Sequence, residues 1–209
     1  MTNQPFKKKL ENYWFYYKIH TIVAVFVIIM AAIFIKQCAD NIQPDMTVLI
    51  ITKNAVLPQS EITALQNNLQ KYTLDVNHDG HKYVYCEVFN LNDSQNPQML
   101  QAETAKLMAE MVDSNSALYI MDDAEYTQLN KNAGLFTKLS SILPNAPDTD
   151  KMAMSALPEA AKDFSADSDK LEFAVRAFSG STLSSNGNKP YYDNTVTILK
   201  KLFSSSPAS

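Results

Sequence analysis

The residues best spaced for chemistry lie in one short stretch, Asp75-Val-Asn77-His-Asp79-Gly80-His81. Its D-x-N-x-D-G spacing matches positions 1, 3, 5 and 6 of an EF-hand-type calcium loop, with the His81 carbonyl at position 7. Alternate side-chain oxygens converge there because a glycine permits the sharp bend. Position 12, normally a bidentate glutamate, is Cys86, and Glu87 falls one residue late. A calcium site on Asp75, Asn77, Asp79 and His81 would therefore lack its strongest ligand and bind weakly. The competing reading is an Asp/Asn/Gly turn that feeds a strand without metal, and the missing ligand favours it. No other cofactor is expected.

The remaining candidates carry less. His78 and His81 are too few for a zinc site, and Cys86 lies on a stretch whose alternation points it into packing. The third histidine, His20, sits in an apolar segment, so no base is left over for a Ser or Cys nucleophile. Ser179-Gly180-Ser181 lacks the nucleophile-elbow pattern, and the four glycines form no phosphate-cradling loop. Asp122, Asp123 and Glu125 follow a strand where ligands of open α/β sheets gather, but capping of the next helix explains the same residues. Tyr191 and Tyr192 are rings able to stack on a sugar, or to pack at a helix start. Asn92-Asp-Ser94 fits a glycosylation acceptor. Nothing here specifies catalysis, and no enzyme is expected.

Position is stated more clearly than chemistry. Ile19 to Ile35 (IHTIVAVFVIIMAAIFI) has no carboxylate, Gly or Pro and no polar face at helical spacing. At ~1.5 Å per residue it covers roughly 26 Å, close to the ~30 Å of bilayer hydrocarbon. Residues 19–36 are therefore read as a transmembrane helix whose partner is the lipid bilayer. Trp14, Phe15, Tyr16 and Tyr17 suit the headgroup layer, and Lys7, Lys8, Lys9 and Lys18 face only Glu11. That excess places residues 1–18 in the cytoplasm and residues 37–209 outside the cell. A cleaved signal is disfavoured because Ile35 and Gln37 before Cys38 are not the small residues that cleavage requires.

After Lys36, 13 Lys and Arg stand against 21 Asp and Glu, a net charge of −8. The chain has one arginine, Arg176. Nucleic acid is excluded as a partner, since backbone phosphates need clustered cations. Two cysteines, Cys38 and Cys86, make no disulfide framework and are read as separate thiols.

Residues 37–45 read as a polar linker, 46–203 as one α/β domain and 204–209 as a flexible tail. Within the domain, Met46–Thr52 is a near-continuous apolar run expected of a strand covered on both faces. Pro58 opens a helix to about Tyr72 with Ile62, Leu65 and Leu69 on one stripe. A second strand spans Tyr83–Leu91. Asn96-Pro97 starts a second helix to Asp113, buried through Leu100, Thr104, Leu107, Met108 and Met111. A third strand at Ala117–Met121 leads into a helix from Asp122 to Ala133. After the irregular residues 145–169 come a strand at Leu171–Phe178, a Ser/Gly/Asn loop and a helix at Pro190–Phe203, with Val196, Leu199, Leu202 and Phe203 on one side. The alternation predicts a single three-layer domain with a mostly parallel sheet.

The order DMTVLIIT, helix, YCEVFNL, helix, ALYIMDD and YTQLNKNAGLFTKLSSIL resembles the first lobe of extracellular solute-binding proteins of ABC importers. The WFYYKIHTI run is similar to that of uncharacterised membrane-anchored proteins of Firmicutes. The resemblance implies a periplasmic-binding-protein-like lobe held outside the cell, though a receptor closes two lobes on its ligand and this chain has length for little more than one. The function expected is a membrane-anchored binding or scaffolding protein with a membrane or surface protein partner. The alternative is a tethered solute-binding receptor beside an importer.

Overall fold

The computed structural model describes residues 4–39, 42–92, 96–113, 115–132, 134–164, 170–185 and 187–204. The chain forms two compact units, Met1–Ile42 and Gln43–Ser209. The first is built on one helix, α1 (Gln4–Ala39). Its Tyr13–Lys36 segment of 24 residues is long and apolar enough to cross a membrane. The helix runs beyond both ends of the segment that periodicity marks, because aromatic and lysine side chains propagate it as well as aliphatic ones do. Apolar side chains are exposed all round it, among them Ile19, Phe26 and Ile35 at 66%, 62% and 70%. Such a segment suits a membrane anchor or a signal sequence.

The second unit is an α/β domain on one mixed sheet. In chain order its elements are β1 (Met46–Thr52), α2 (Gln59–Gln70), β2 (Val84–Asn90), α3 (Pro97–Asp113), β3 (Leu118–Asp122) and α4 (Asp123–Leu129). There follow β4 (Lys151–Ala153), α5 (Pro158–Ala161), β5 (Leu171–Val175), α6 (Thr182–Ser185) and α7 (Lys189–Ser204). The strand order is β2-β1-β3-β5-β4. β1 is central among the parallel strands, pairing with β2 and β3, and all seven of its residues are buried. That is why it reads as a continuous apolar run rather than an alternating one.

The two sides of the sheet are covered unequally. Met46, Val48 and Ile50 face Ile62, Leu65 and Leu69 of α2, Ala160 of α5 and Ile198, Leu199 and Leu202 of α7. Leu49, Ile51, Phe89 and Tyr119 face Leu107 of α3, with Tyr126 and Leu129 of α4 packed alongside. Helices on both faces make the three layers expected. β1→β2 and β2→β3 step in opposite directions and carry their helices on opposite faces, as right-handed crossovers require.

The sheet is mixed, with one strand, β5, running against the other four. β5 runs antiparallel to β3 and to β4. Two elements are unforeseen: α6, a single turn inside the Ser/Gly/Asn loop, and β4, whose three half-buried residues are too few to show a period. β4 takes the outer position parallel to β3, and β5 returns to fill the slot between them. β5 also stops at Val175, because Arg176 turns into a single bridge with Phe136. Two predicted stripes shift as well. Met108 of α3 is 49% exposed, since it lies a further turn-fraction from the Leu100–Leu107–Met111 line. On α7, Ile198 is buried while Val196 is only half-buried.

At the amino end of β1 lies Asp45, with no exposed surface. Its Oδ1 accepts from the Val76 and Asn77 N–H groups at 2.6 and 3.2 Å, and its Oδ2 accepts from the Tyr83 N–H at 2.9 Å. The Asn194 amide of α7 donates to the Asp45 carbonyl at 3.2 Å. One carboxylate thus pins the turn and the approach to β2, and the same residue's carbonyl holds α7. Asp45→Ala strands three backbone donors, and we expect it to lower the unfolding free energy by about 3 kcal/mol in a urea titration of the full chain.

Candidate functional site

The Asp75–His81 turn is closed by its own side chains. Asp75 Oδ2 accepts from Gly80 N–H at 3.0 Å, Asn77 Oδ1 from Asp79 N–H at 2.9 Å and Asp79 Oδ1 from His81 N–H at 2.8 Å. The Asn77 amide donates to Asp79 Oδ2 and to the Gln43 carbonyl. His78 and Gly80 sit at φ of 60° and 85°, the left-handed bends that Asn/Asp/Gly-rich turns need. Asp75 Oδ1 is buried without a protein partner. Glu87, the nearest substitute for position 12, is drawn under α3 and pairs with Lys106 at 2.9 Å. Among the described residues, no three His, Cys, Asp or Glu side chains gather in a way that could hold a metal.

The carboxyl end of the sheet, where strand order reverses between β1 and β3, is the usual ligand crevice of open α/β folds. Here the chain fills it with its own anion. Asp122 Oδ2 accepts from the Lys53 and Asn54 N–H groups at 2.8 and 2.9 Å, and Oδ1 accepts from Glu125 N–H at 3.1 Å as the α4 N-cap. The capping explanation of Asp122 holds, and the three donors an incoming carboxylate or phosphate would use are engaged. Asp123 turns outward to Lys151 at 2.6 Å.

Beside this end lies a polar cluster between α4 and the β4–β5 edge. Tyr126 donates to Asp150 at 2.6 Å and accepts from Asn130 at 2.8 Å. The Lys151 ammonium bonds Asp123 and Glu172 and lies 4.4 Å from the centre of the Tyr126 ring. Burial, then the Asp150 hydrogen bond, pushes the Tyr126 phenol up to about 12. Burial pulls Lys151 down, but its bonds to Asp123 and Glu172 outweigh that and hold it above the ordinary lysine value. Both groups therefore keep their protons at neutral pH, which suits a clamp and gives neither a base nor an amine nucleophile.

Cys86 is a free, buried thiol on β2, and burial raises its pKa from 9.0 to about 12. The Cys38 side chain lies outside the described residues, as do Ser94 and Ala133.

At the opposite end of the sheet the surface opens into a cleft of about 350 Å³. It is lined by Gln43 before β1, Thr47 on β1, Glu110 on α3, Asn115 before β3, and Asn188 and Tyr191 at the start of α7. The two tyrosines part company here. Tyr192 packs on Phe178 with ring centres 5.1 Å apart, while Tyr191 lines the cleft. Sequence reasoning missed Thr47, Asn115 and Asn188. Their one shared sign is an uncharged polar residue at or just before the amino end of an element, which reads equally as a cap.

Two measurements follow. Because the folded chain keeps the Cys86 proton that the unfolded chain releases, this thiol's stabilising contribution is complete below about pH 9 and is lost as pH rises toward about 12. Iodoacetamide at pH 8 should leave the Cys86 peptide unmodified in the native chain and alkylate it in urea, as read by mass spectrometry. Calcium at millimolar concentration should leave the melting temperature unchanged, since the Asp75–His81 oxygens are held by the turn; a rise would assign the turn to the metal.

No family model matches this chain, and neither a curated protein nor a solved structure does.

Proposed function

We propose that the chain is a single-pass membrane protein that holds one acidic α/β module outside the cell and acts there by binding or scaffolding, without catalysis. The observation that carries this reading is the all-round apolar surface of Ile19–Ile35 on α1, which water does not favour and lipid does. Lysines before it and the acidic balance after it support a cytoplasmic N-terminus.

The outer face of α3 supports a protein partner. Leu107 is the buried side chain of this helix, with Leu100, Thr104 and Met111 half-buried on the same side. Ala102, Ala105, Met108, Ala109 and Val112 lie exposed on the far side, while Glu103, Lys106 and Glu110 keep to one flank. An uncharged face of small residues lets another helix approach closely, and nothing in the stability of the domain requires that it be so bare.

The anchor is tested by alkaline carbonate extraction, which should leave the full chain in the membrane pellet, and by protease added to intact cells, which should remove the domain. A mature chain recovered from the medium would sink the reading. The partner face is tested by Ala105→Glu with Ala109→Glu. These exposed changes should move stability by no more than about 0.5 kcal/mol and should reduce cross-linking to the partner in native membranes at least tenfold.

A further inference from the structure

We infer that the cleft at the amino ends of β1 and β3 is a binding site for a neutral saccharide. This goes beyond the α3 face and does not depend on it, since the residues argued from here lie on β1, before β3 and on α7.

The inference starts from unspent hydrogen-bonding capacity. Thr47 is 4% exposed and lines the cleft, yet among the described residues its hydroxyl has no hydrogen-bond partner. Among the described residues the side-chain amides of Asn115 and Asn188, which are half-buried, and of Gln43, which is exposed, likewise have no partner. A buried polar side chain is normally satisfied; Thr47 is buried, Asn115 and Asn188 are half-buried and Gln43 is exposed, and all four line one hollow. Asn77, which also lines the cleft, shows the contrast, for its amide is engaged with its own turn and with the Gln43 carbonyl.

The chemical types select the ligand. Each amide carries donors and an acceptor side by side, and a threonine hydroxyl does both, which matches the hydroxyl pairs of a polyol. None of these four groups is charged, so the set has little to offer a phosphate or an ammonium. Tyr191 offers an amphipathic ring on which the apolar face of a pyranose can lie. A peptide would also hydrogen-bond amides, but it would need apolar pockets for its side chains, and these residues do not furnish them. The volume, about 350 Å³, lies at the small end for ligand sites and fits one or two sugar rings. The usual crevice at the carboxyl ends is closed by Asp122, which leaves this end as the open one.

The test uses the full chain in lipid nanodiscs, free of sugar-headed detergent, with maltose, cellobiose and the N-acetylglucosamine disaccharide as probes. Saturation-transfer NMR should show at least one of them bound at millimolar concentration. Asn115→Ala and Tyr191→Ala should each weaken that binding about tenfold, the effect of losing one well-placed contact. Thr47→Val, which keeps the shape of the side chain, should do the same if Tyr191→Ala fails to fold. Met99→Ala on α3 should change nothing. The inference is overturned if no disaccharide binds at tens of millimolar, if binding survives all three cleft variants, or if triglycine binds there in place of the sugars. Recovery of the chain in the membrane pellet in the same preparations keeps the anchor reading separate from any of these failures.

Discussion

Two buried aspartates hold the domain in shape, one at each end of the sheet, and both are satisfied chiefly by backbone N–H groups. Asp45 gathers the turn before β2, the first residues of β2 and, through its carbonyl, α7. Asp122 gathers the exit of β1 and the first turn of α4. A carboxylate withdrawn from water is costly unless its oxygens are filled, and charge-assisted bonds to several amides fill them without a counter-ion. The consequence is directional. Loops at each end are tied to the strands by short polar contacts rather than by apolar packing, so their geometry is set by the sheet.

That constraint also explains where a site can lie. In open α/β sheets the carboxyl-end crevice is attractive because backbone donors and a helix start face it unpaired. Here Asp122 occupies that position, and the Tyr126–Asp150–Lys151 cluster closes the neighbouring ground, with Tyr126 and Lys151 holding their protons. The amino end has the opposite character. Asp45 consumes the donors of its own turn, but Thr47, Asn115 and Asn188 around it remain uncommitted, and the surface there is concave.

Much of the architecture is legible in the residues. The unbroken apolar run of β1 announces burial on both sides, the Ile62–Leu65–Leu69 spacing places α2, and Asn96 and Asp122 mark helix starts that the structure bears out through bonds to Gln98 and Glu125. What escapes is what depends on long-range return. β4 is three residues long and half-buried, so no periodicity distinguishes it from a loop, and with it goes the direction of β5. The cleft escapes for a different reason. Its members are brought together from four places by the topology, and each has an ordinary local role as a cap or strand start, so no local pattern singles them out. Met108 shows the limit of helix periodicity itself, which locates a face to within about one neighbouring position but not its edge.

The insertion of β5 between β3 and β4 has a bearing on biogenesis. β1, β2 and β3 can pair as soon as they emerge, but the inner flank of β3 then stays unpaired until the chain has advanced as far as Val175. During that interval a highly apolar strand presents bare amides and carbonyls to whatever lies nearby, including a nascent sibling. A late-arriving central strand therefore makes the last third of the polypeptide its own intramolecular guard against cross-chain zippering. Ribosome pausing or truncation before residue 171 would leave that guard unmade.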